Sequence, residues 1–306
     1  MKKQQLNIFN ASNVCKCKKN FKVKILTEDF DHGMFEGHFI YVHCKKCECV
    51  FLEKVPTWAN ISKIYPLSYE AYTGKSFGHL GNFARSIAAK FKAKRIRRKV
   101  SQFKSAIEFG CGSKPLITEM QNFILNITLC DIKIRNNLRN FNNIEGNVEL
   151  EIRKIKKKFD LIVFNQLIEH LIDPEKFLIH CYRILNKGGI VYFETPNISS
   201  LDAKIFLSSG CWGGLHAPRH FKIFGEDSIR KISILKKFDT VDISYLYNPF
   251  ILNNTFKNIL KKNGNFRVAQ YLSLANPFVI GFYFLVDSIL LLITKKTGNM
   301  AILLKK

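Results

Sequence analysis

Acidic residues are scarce. The 306-residue chain carries 24 Asp and Glu against 48 Lys and Arg, a formal charge of +24. That imbalance favours anionic surroundings: a lipid headgroup surface, nucleic acid or a phosphorylated substrate. The chain is also crowded with Lys, Asn and Ile, so AT-rich codon usage accounts for part of its basicity. The opening MKKQQLNIFNASN has no apolar run of the signal-peptide kind. With nine cysteines in so long a chain, the expectation is reduced, cytosolic thiols, not a secreted disulfide scaffold. There is no internal repeat and no low-complexity linker. Hydrophobic residues make up 47% of the chain, which supports a packed core and excludes global disorder. The length fits one large or two modest domains.

What is present divides the chain at three places. Residues 1–75 are cysteine-bearing, aromatic and turn-rich. Cys15-x-Cys17 and Cys44-x-x-Cys47 form two close pairs, with Cys49 left over. Zinc takes four soft ligands in a tetrahedron, and two pairs separated by a hairpin supply that geometry. The run from Phe21 to Val42 alternates enough for two strands around an Asp31-His32-Gly33 turn. The segment resembles a zinc ribbon, with Cys15, Cys17, Cys44 and Cys47 as ligands of a closed, structural site. The Cys-x-Cys half is tighter than the usual gap.

Residues 76–104 predict a basic linker helix. Lys90, Lys92, Lys94, Arg95, Arg97, Arg98 and Lys99 crowd it, while Phe83, Ile87, Phe91, Ile96 and Val100 recur at helical spacing. One face is expected to pack. The charged faces are solvated, or meet anionic lipid or nucleic acid.

Residues 105–245 alternate apolar and amphipathic runs, the α/β pattern. Lys104 to Ser113 reads as a strand, an acidic end and a Gly110-Cys111-Gly112 turn, where glycines let backbone approach a ligand. Asn126–Leu129 is a second strand closed by Asp131, placed to accept ribose hydroxyls. Phe159–Phe164 is a buried strand. Pro174 opens a helix over Glu175–Leu185, which stops at Asn186-Lys187-Gly188-Gly189. Ile190–Glu194 is the next strand, ending at Thr195-Pro196-Asn197.

Glu108-Phe109-Gly110-Cys111-Gly112, strand-Asp131 and FDLIVFNQLIEHLIDPEKFLIHCYRILNKGGIVYFETPN together resemble the class I S-adenosylmethionine-dependent methyltransferases. The nearest branch has an Ile-Glu-His-Leu helix start, a Thr-Pro-Asn strand end and a later Trp…His-x-Pro-x-His segment, here Trp212, His216, Pro218 and His220. The resemblance covers residues 100–245 firmly and the tail loosely. It implies an α/β fold: a Rossmann-like, mostly parallel seven-stranded sheet with an antiparallel last strand. To this are added the small N-terminal zinc-ribbon-like domain and apolar C-terminal helices. It also implies a cofactor, S-adenosylmethionine. Glu108, Gly110, Cys111 and Gly112 would form the loop under its methionine part. Asp131 would hold the ribose, Asn147 the adenine, and Asn165 and Gln166 would sit beside the sulfonium. The third glycine of the first motif is replaced by Lys114, followed by Pro115.

A hydroxyl acceptor benefits from a base that titrates near neutrality. His170, His216 and His220 are the candidates, with His220 favoured on the acceptor side. Each also has a plain structural alternative, a helix-start cap for His170 and a packed lid for the other two.

The tail holds an apolar insertion, 249–294, inside a methyltransferase domain of 105–306. PFVIGFYFLVDSILLLIT, residues 277–294, is about 27 Å long as a helix, just short of a bilayer core. Asp287 near its middle would cost about 3 kcal/mol in a spanning helix. Met300–Leu304 resembles the last sheet strand beside Thr240–Tyr245, and a single crossing would leave it on the wrong side. The segment therefore packs on the protein, lies in the membrane interface or returns as a hairpin with 249–260. Lys257, Lys261, Lys262, Lys295 and Lys296 flank it and suit anionic headgroups.

The expectation is a cytoplasmic enzyme, peripheral at the inner membrane surface, that O-methylates a saccharide, a lipid-linked saccharide or a related small molecule. An RNA-directed methyltransferase gripping RNA with ribbon and basic helix is one alternative. A catalytically inactive binding module is the other. The Asp/Asn-Pro-Pro-aromatic motif of nucleobase amino-methylation is absent: Asn165-Gln166-Leu167-Ile168 stands in its place.

Overall fold

A computed structural model describes residues 9–12, 15, 17–18, 22–65, 78–98, 103–135, 138–235, 237–274 and 276–306. Lys99, Val100 and the Phe83 side chain, which the sequence places in the basic helix, lie outside them. Five short strands come first: β1 (Phe9–Ser12), β2 (Lys22–Thr27), β3 (Phe39–Cys44), β4 (Cys49–Leu52) and β5 (Lys54–Pro56). Helix α1 (Gly78–Arg97) follows, then β6 (Phe103–Phe109), β7 (Ile124–Asp131) and β8 (Asn142–Glu145). After these come α2 (Val148–Lys154), β9 (Phe159–Asn165), α3 (Pro174–Ile184), β10 (Leu185–Pro196) and α4 (Leu201–Phe206). Next are β11 (Lys222–Phe224), α5 (Glu226–Leu235) and β12 (Thr240–Leu246). Helices α6 (Pro249–Lys262), α7 (Phe266–Tyr271) and α8 (Pro277–Thr294) lead to the last strand, β13 (Asn299–Lys305).

The main sheet has seven strands in the order β12-β13-β10-β9-β6-β7-β8. β13 alone runs antiparallel, to both β10 and β12. The expected Rossmann-like sheet with its antiparallel last strand is therefore present. Its centre reads Phe-Asp-Leu-Ile-Val-Phe-Asn in β9, with Leu161 to Phe164 fully buried, as covered parallel strands require. Phe164 stacks on Phe193 with centroids 4.7 Å apart, and Phe177 of α3 packs edge-on against Phe164 and Phe109. Asp173 caps α3 by accepting from the Lys176 amide, with Pro174 in the first turn. The helix ends one residue earlier than expected, because Leu185 is already extended and begins β10.

The hairpin expected between the cysteine pairs is β2–β3, antiparallel, with Asp31, His32 and Gly33 in its loop. Its sheet has the order β11-β4-β3-β2. β11 comes from far downstream and pairs Ile223 with Val50. The N-terminal strands and the α/β half thus share one sheet, and a core joins Tyr41, Val50 and Leu52 to Trp212, Phe221 and Ile223.

Helix α1 buries Ala93 and Ile96 against Leu116, Met120 and Ile124. Ile87 and Phe91, expected on the packed face, are exposed at the mouth of the cavity described below.

Helices α6 to α8 lie between two strands paired with each other, so the chain leaves and rejoins the same sheet. α8 is the one described helix long and apolar enough to cross a membrane by length and composition, and only 11% of it is buried. Its Asp287 faces inward and accepts from the Asn248 amide at 2.7 Å.

Candidate active site

Parallel strands deliver their carboxyl ends to one edge, where connecting loops form a crevice. Here that crevice is a cavity of about 1120 Å³. All eleven residues singled out for cofactor and base roles line it: Glu108, Gly110, Cys111, Gly112, Asp131, Asn147, Asn165, Gln166, His170, His216 and His220.

The glycine turn after β6 takes φ of +63° at Gly110 and +55° at Gly112, a left-handed backbone that side chains disfavour. A Cβ at Gly110 would also lie 3.0 Å from Leu167. Asp131 accepts from the Gly112 amide at 2.8 Å and the Ile132 amide at 2.7 Å, fixing the turn against β7. Burial raises its carboxyl, and those two amides oppose the rise. Glu108 accepts from the amides of Leu116 and Ile117 at 3.1 and 2.8 Å. It caps the 3-10 helix Leu116–Phe123, and burial pushes it up to about 8. Lys114 is exposed on the cavity rim, and both glycine conformations persist beside it.

Asn147 caps α2 by accepting from the Glu149 amide. Gln166 takes a positive φ, +49°, and donates to Asn299 of β13 at 2.9 Å. The Asn165 carbonyl oxygen is buried without a hydrogen-bond partner.

The three histidines meet. Ring centroids lie 4.6 Å apart for His170 and His220, 5.1 Å for His216 and His220, and 6.3 Å for His170 and His216. His170 Nδ1 is 3.0 Å from the Arg219 carbonyl, and His220 Nδ1 is 2.8 Å from the Gly214 carbonyl. A carbonyl only accepts, so His220 Nδ1 carries hydrogen and its Nε2 holds the lone pair, whereas His170 Nδ1 also lies 3.1 Å from the Tyr65 hydroxyl. Burial pulls both rings down, His170 to about 3, which keeps them neutral. His216 Nδ1 is 2.7 Å from Asp31 Oδ2. Burial works against that carboxylate, yet the His216 hydrogen bond and nearby cationic groups hold it at about 2.

Several residues at or behind the cavity wall had no site role assigned from the sequence. Asp31 and His32 arrive from the β2–β3 loop, and the His32 ring lies 5.6 Å from that of His216. Asp29 of the same loop pairs with Arg219 at 2.9 Å, both side chains wholly buried. Glu169 precedes His170, is fully buried and accepts from the Thr195 hydroxyl at 3.0 Å. Glu194, two residues before the end of β10, takes the Tyr192 hydroxyl at 2.7 Å and pairs with Lys92 of α1 at 2.7 Å. The basic helix is therefore latched across the cavity, with Lys92 and Arg95 lining it. Only a distant pairing, such as Lys92 with the end of β10, could have exposed that role in the sequence.

Away from the cavity, one sulfur atom each from Cys15, Cys17, Cys44 and Cys47 lie within 4.8 Å of one another. Cys49 stands apart, buried, its thiol bonded to the Cys47 carbonyl at 3.3 Å.

A family model described as a methyltransferase domain matches residues 82–238, from α1 past α5. The chain belongs to that methyltransferase family. The methyltransferase is 29% identical over 104 residues to the ubiquinone biosynthesis O-methyltransferase of Pseudomonas putida (strain W619), covering 31% of this chain and 45% of that protein. It is 31% identical over 123 residues to the protein of the same description in Pelagibacter ubique (strain HTCC1062), covering 37% and 51%. The chain spans about half the length of these relatives. An S-adenosylmethionine-dependent methyltransferase from Archaeoglobus fulgidus superposes with a TM-score of 0.45 at 17% identity, covering 71% of this chain and 94% of that one.

S-adenosylmethionine is the cofactor that the sequence resemblance implies, and the cavity residues fit that group. The left-handed Gly110–Gly112 turn brings bare backbone to the cavity, Asp131 stands at the end of β7, and the Asn165 side chain offers an unpaired buried oxygen. Bound there, the cofactor supplies an electrophilic methyl group on a positively charged sulfur.

Proposed function

We propose that the methyltransferase methylates an oxygen of a lipid-anchored acceptor, a lipid-linked saccharide or a related amphiphile, at an anionic membrane surface on the cytoplasmic side. One observation carries this. The cavity lined by the Gly110–Gly112 turn and the three histidines is also lined by Tyr247, Phe250, Ile280 and Phe284. Those residues belong to α6, α8 and the loop before α6, and α8 also carries strongly exposed apolar side chains. Phe278, Leu292 and Ile293 of α8 are 84, 72 and 73% exposed. A polar headgroup fits at the histidines while an apolar chain lies along the α6–α8 end. The description of the curated relatives, ubiquinone biosynthesis, agrees with an acceptor that carries an apolar tail.

The basic residues flanking the insertion are less free than their number suggests. Lys261 donates to the Phe30 carbonyl, Lys262 to the Ser209 carbonyl at 2.7 Å, and Lys296 pairs with Glu226 at 2.9 Å. Lys295 and Arg267 are exposed beside the apolar surface and carry the attraction to anionic lipid.

For the acceptor's proton, His216 is the best-equipped histidine. Asp31 fixes Nδ1–H, so Nε2 is the basic nitrogen and the charge it gains is balanced by an ionised carboxylate. His170 and His220 hold Nδ1 against backbone carbonyls and have no carboxylate at hydrogen-bond distance.

Four thiols at this spacing suit a structural zinc ion, which would tie the segment before β2 to the β3–β4 turn.

Vesicle binding tests the membrane half of the proposal. The protein is expected to sediment with anionic vesicles. Replacing Phe278, Leu292 and Ile293 by Ser should weaken that binding at least about 100-fold, since each buried side chain contributes about 1.5–3 kcal/mol. Protein that stays wholly in the supernatant contradicts it.

A further inference from the structure

Glu169, His170 and His220 form a cluster that base catalysis leaves unexplained. One ligand atom from each lies within 4.8 Å of the others. Glu169 is completely buried, and its Oε1 has no hydrogen-bond partner. The nearest cationic candidate, His220 Nε2, is 4.0 Å away, too far for a hydrogen bond. An orphaned buried carboxylate oxygen is costly unless something pairs with it. Both imidazoles hold Nδ1 against backbone carbonyls, and His170 Nδ1 also meets the Tyr65 hydroxyl at 3.1 Å, which leaves each Nε2 turned elsewhere. Metal-bound histidines show this same backbone anchoring. The second oxygen of Glu169 is held by the Thr195 hydroxyl, which leaves Oε1 for an ion.

We infer that Glu169, His170 and His220 bind a divalent first-row transition metal ion as a two-histidine, one-carboxylate site. Two neutral imidazoles and a carboxylate suit zinc, manganese, cobalt or ferrous iron, and a small contraction brings the atoms to bonds of about 2.1 Å. Three protein ligands leave further positions open. His170 and His220 line the cavity, so those positions face the space assigned above to the acceptor headgroup. An ion there would bind one or two acceptor oxygens, which favours acceptors with neighbouring hydroxyls, as in a saccharide or a catechol-like ring. The purpose given to the ion rests on the acceptor reading above; its binding does not.

The test separates this site from the thiolates. Full-length protein is loaded with one equivalent of zinc to fill the cysteine cluster, then dialysed against manganese or cobalt with metal content read by mass spectrometry. S-adenosylhomocysteine binding is measured on the same samples by calorimetry. One further ion per chain is expected. Glu169→Gln should weaken its binding more than about 100-fold, and Thr195→Val, which only frees the carboxylate to rotate, about 10-fold. Cys44→Ser should leave it unchanged. No second ion in the wild-type protein overturns the inference, as does a second ion indifferent to Glu169→Gln. Because the wild type alone can refute it, a misfolded variant cannot rescue it. Loss of S-adenosylhomocysteine binding with the second ion still present would instead count against the cofactor site.

Discussion

Asp31 and His216 stand 185 positions apart in the chain, yet Asp31 Oδ2 lies 2.7 Å from His216 Nδ1. The contact joins a loop of the N-terminal hairpin to the segment after β10, and it engages Nδ1 of His216 and leaves Nε2 as the other ring nitrogen.

Asp31→Asn should therefore damage turnover and spare cofactor binding. General bases contribute about 10²–10⁴-fold. A loss in that range in kcat, with S-adenosylhomocysteine affinity within about threefold of wild type, is expected for both Asp31→Asn and His216→Gln. Steady-state kinetics with calorimetry checks it. Full turnover in both variants would remove His216 as the base.

The Lys92–Glu194 pair should govern cofactor retention. Glu194 is buried and Lys92 only partly so. Charge-assisted hydrogen bonds contribute about 1.5–3 kcal/mol. Lys92→Ala is expected to loosen α1 and weaken S-adenosylhomocysteine about 10-fold, whereas Lys94→Ala, on an exposed position of the same helix, should change nothing.

Arg219 and Asp29 are both completely buried. Removing one partner strands the other charge, at a cost of about 3–5 kcal/mol. Arg219→Met should lower stability by that amount in urea titration. The double variant with Asp29→Leu should recover part of it, because no lone buried charge then remains.

Acid should loosen the C-terminal edge of the sheet. Burial alone would raise the Glu226 carboxyl, but the Tyr245 hydroxyl, Lys296 and Arg230 together hold it at about 2, below its ordinary 4.5. A carboxyl lowered by folding stabilises above its unfolded value, and that contribution fades as pH falls from about 4.5 to about 2. The melting temperature should fall through that window, and less so in Glu226→Gln.

The sheet was legible because its signals are local. Phe159–Phe164 is apolar enough to be only a buried strand, and Gly110-Cys111-Gly112 demands a tight turn wherever it stands. The cofactor residues follow strand ends, which a parallel sheet brings to one edge whatever the strand order. The acceptor side was not legible in the same way. The sequence showed Asp31 and His32 only as a turn, and nothing near them names His216 or Arg219. Helix α1 misled for a related reason: Ile87 and Phe91 recur at helical spacing as packed residues do, but the space they face is the cavity. The lysines flanking the insertion suggested a basic surface, and contacts made by folding occupy three of them.

The most direct test of the account is methyl transfer itself. Purified protein, S-adenosylmethionine labelled on its methyl group and a cell extract divided into lipid, glycan, RNA and protein fractions should give label in the lipid fraction. That label should vanish with His216→Gln. Label confined to RNA or protein, or label in lipid that His216→Gln leaves untouched, would contradict the account.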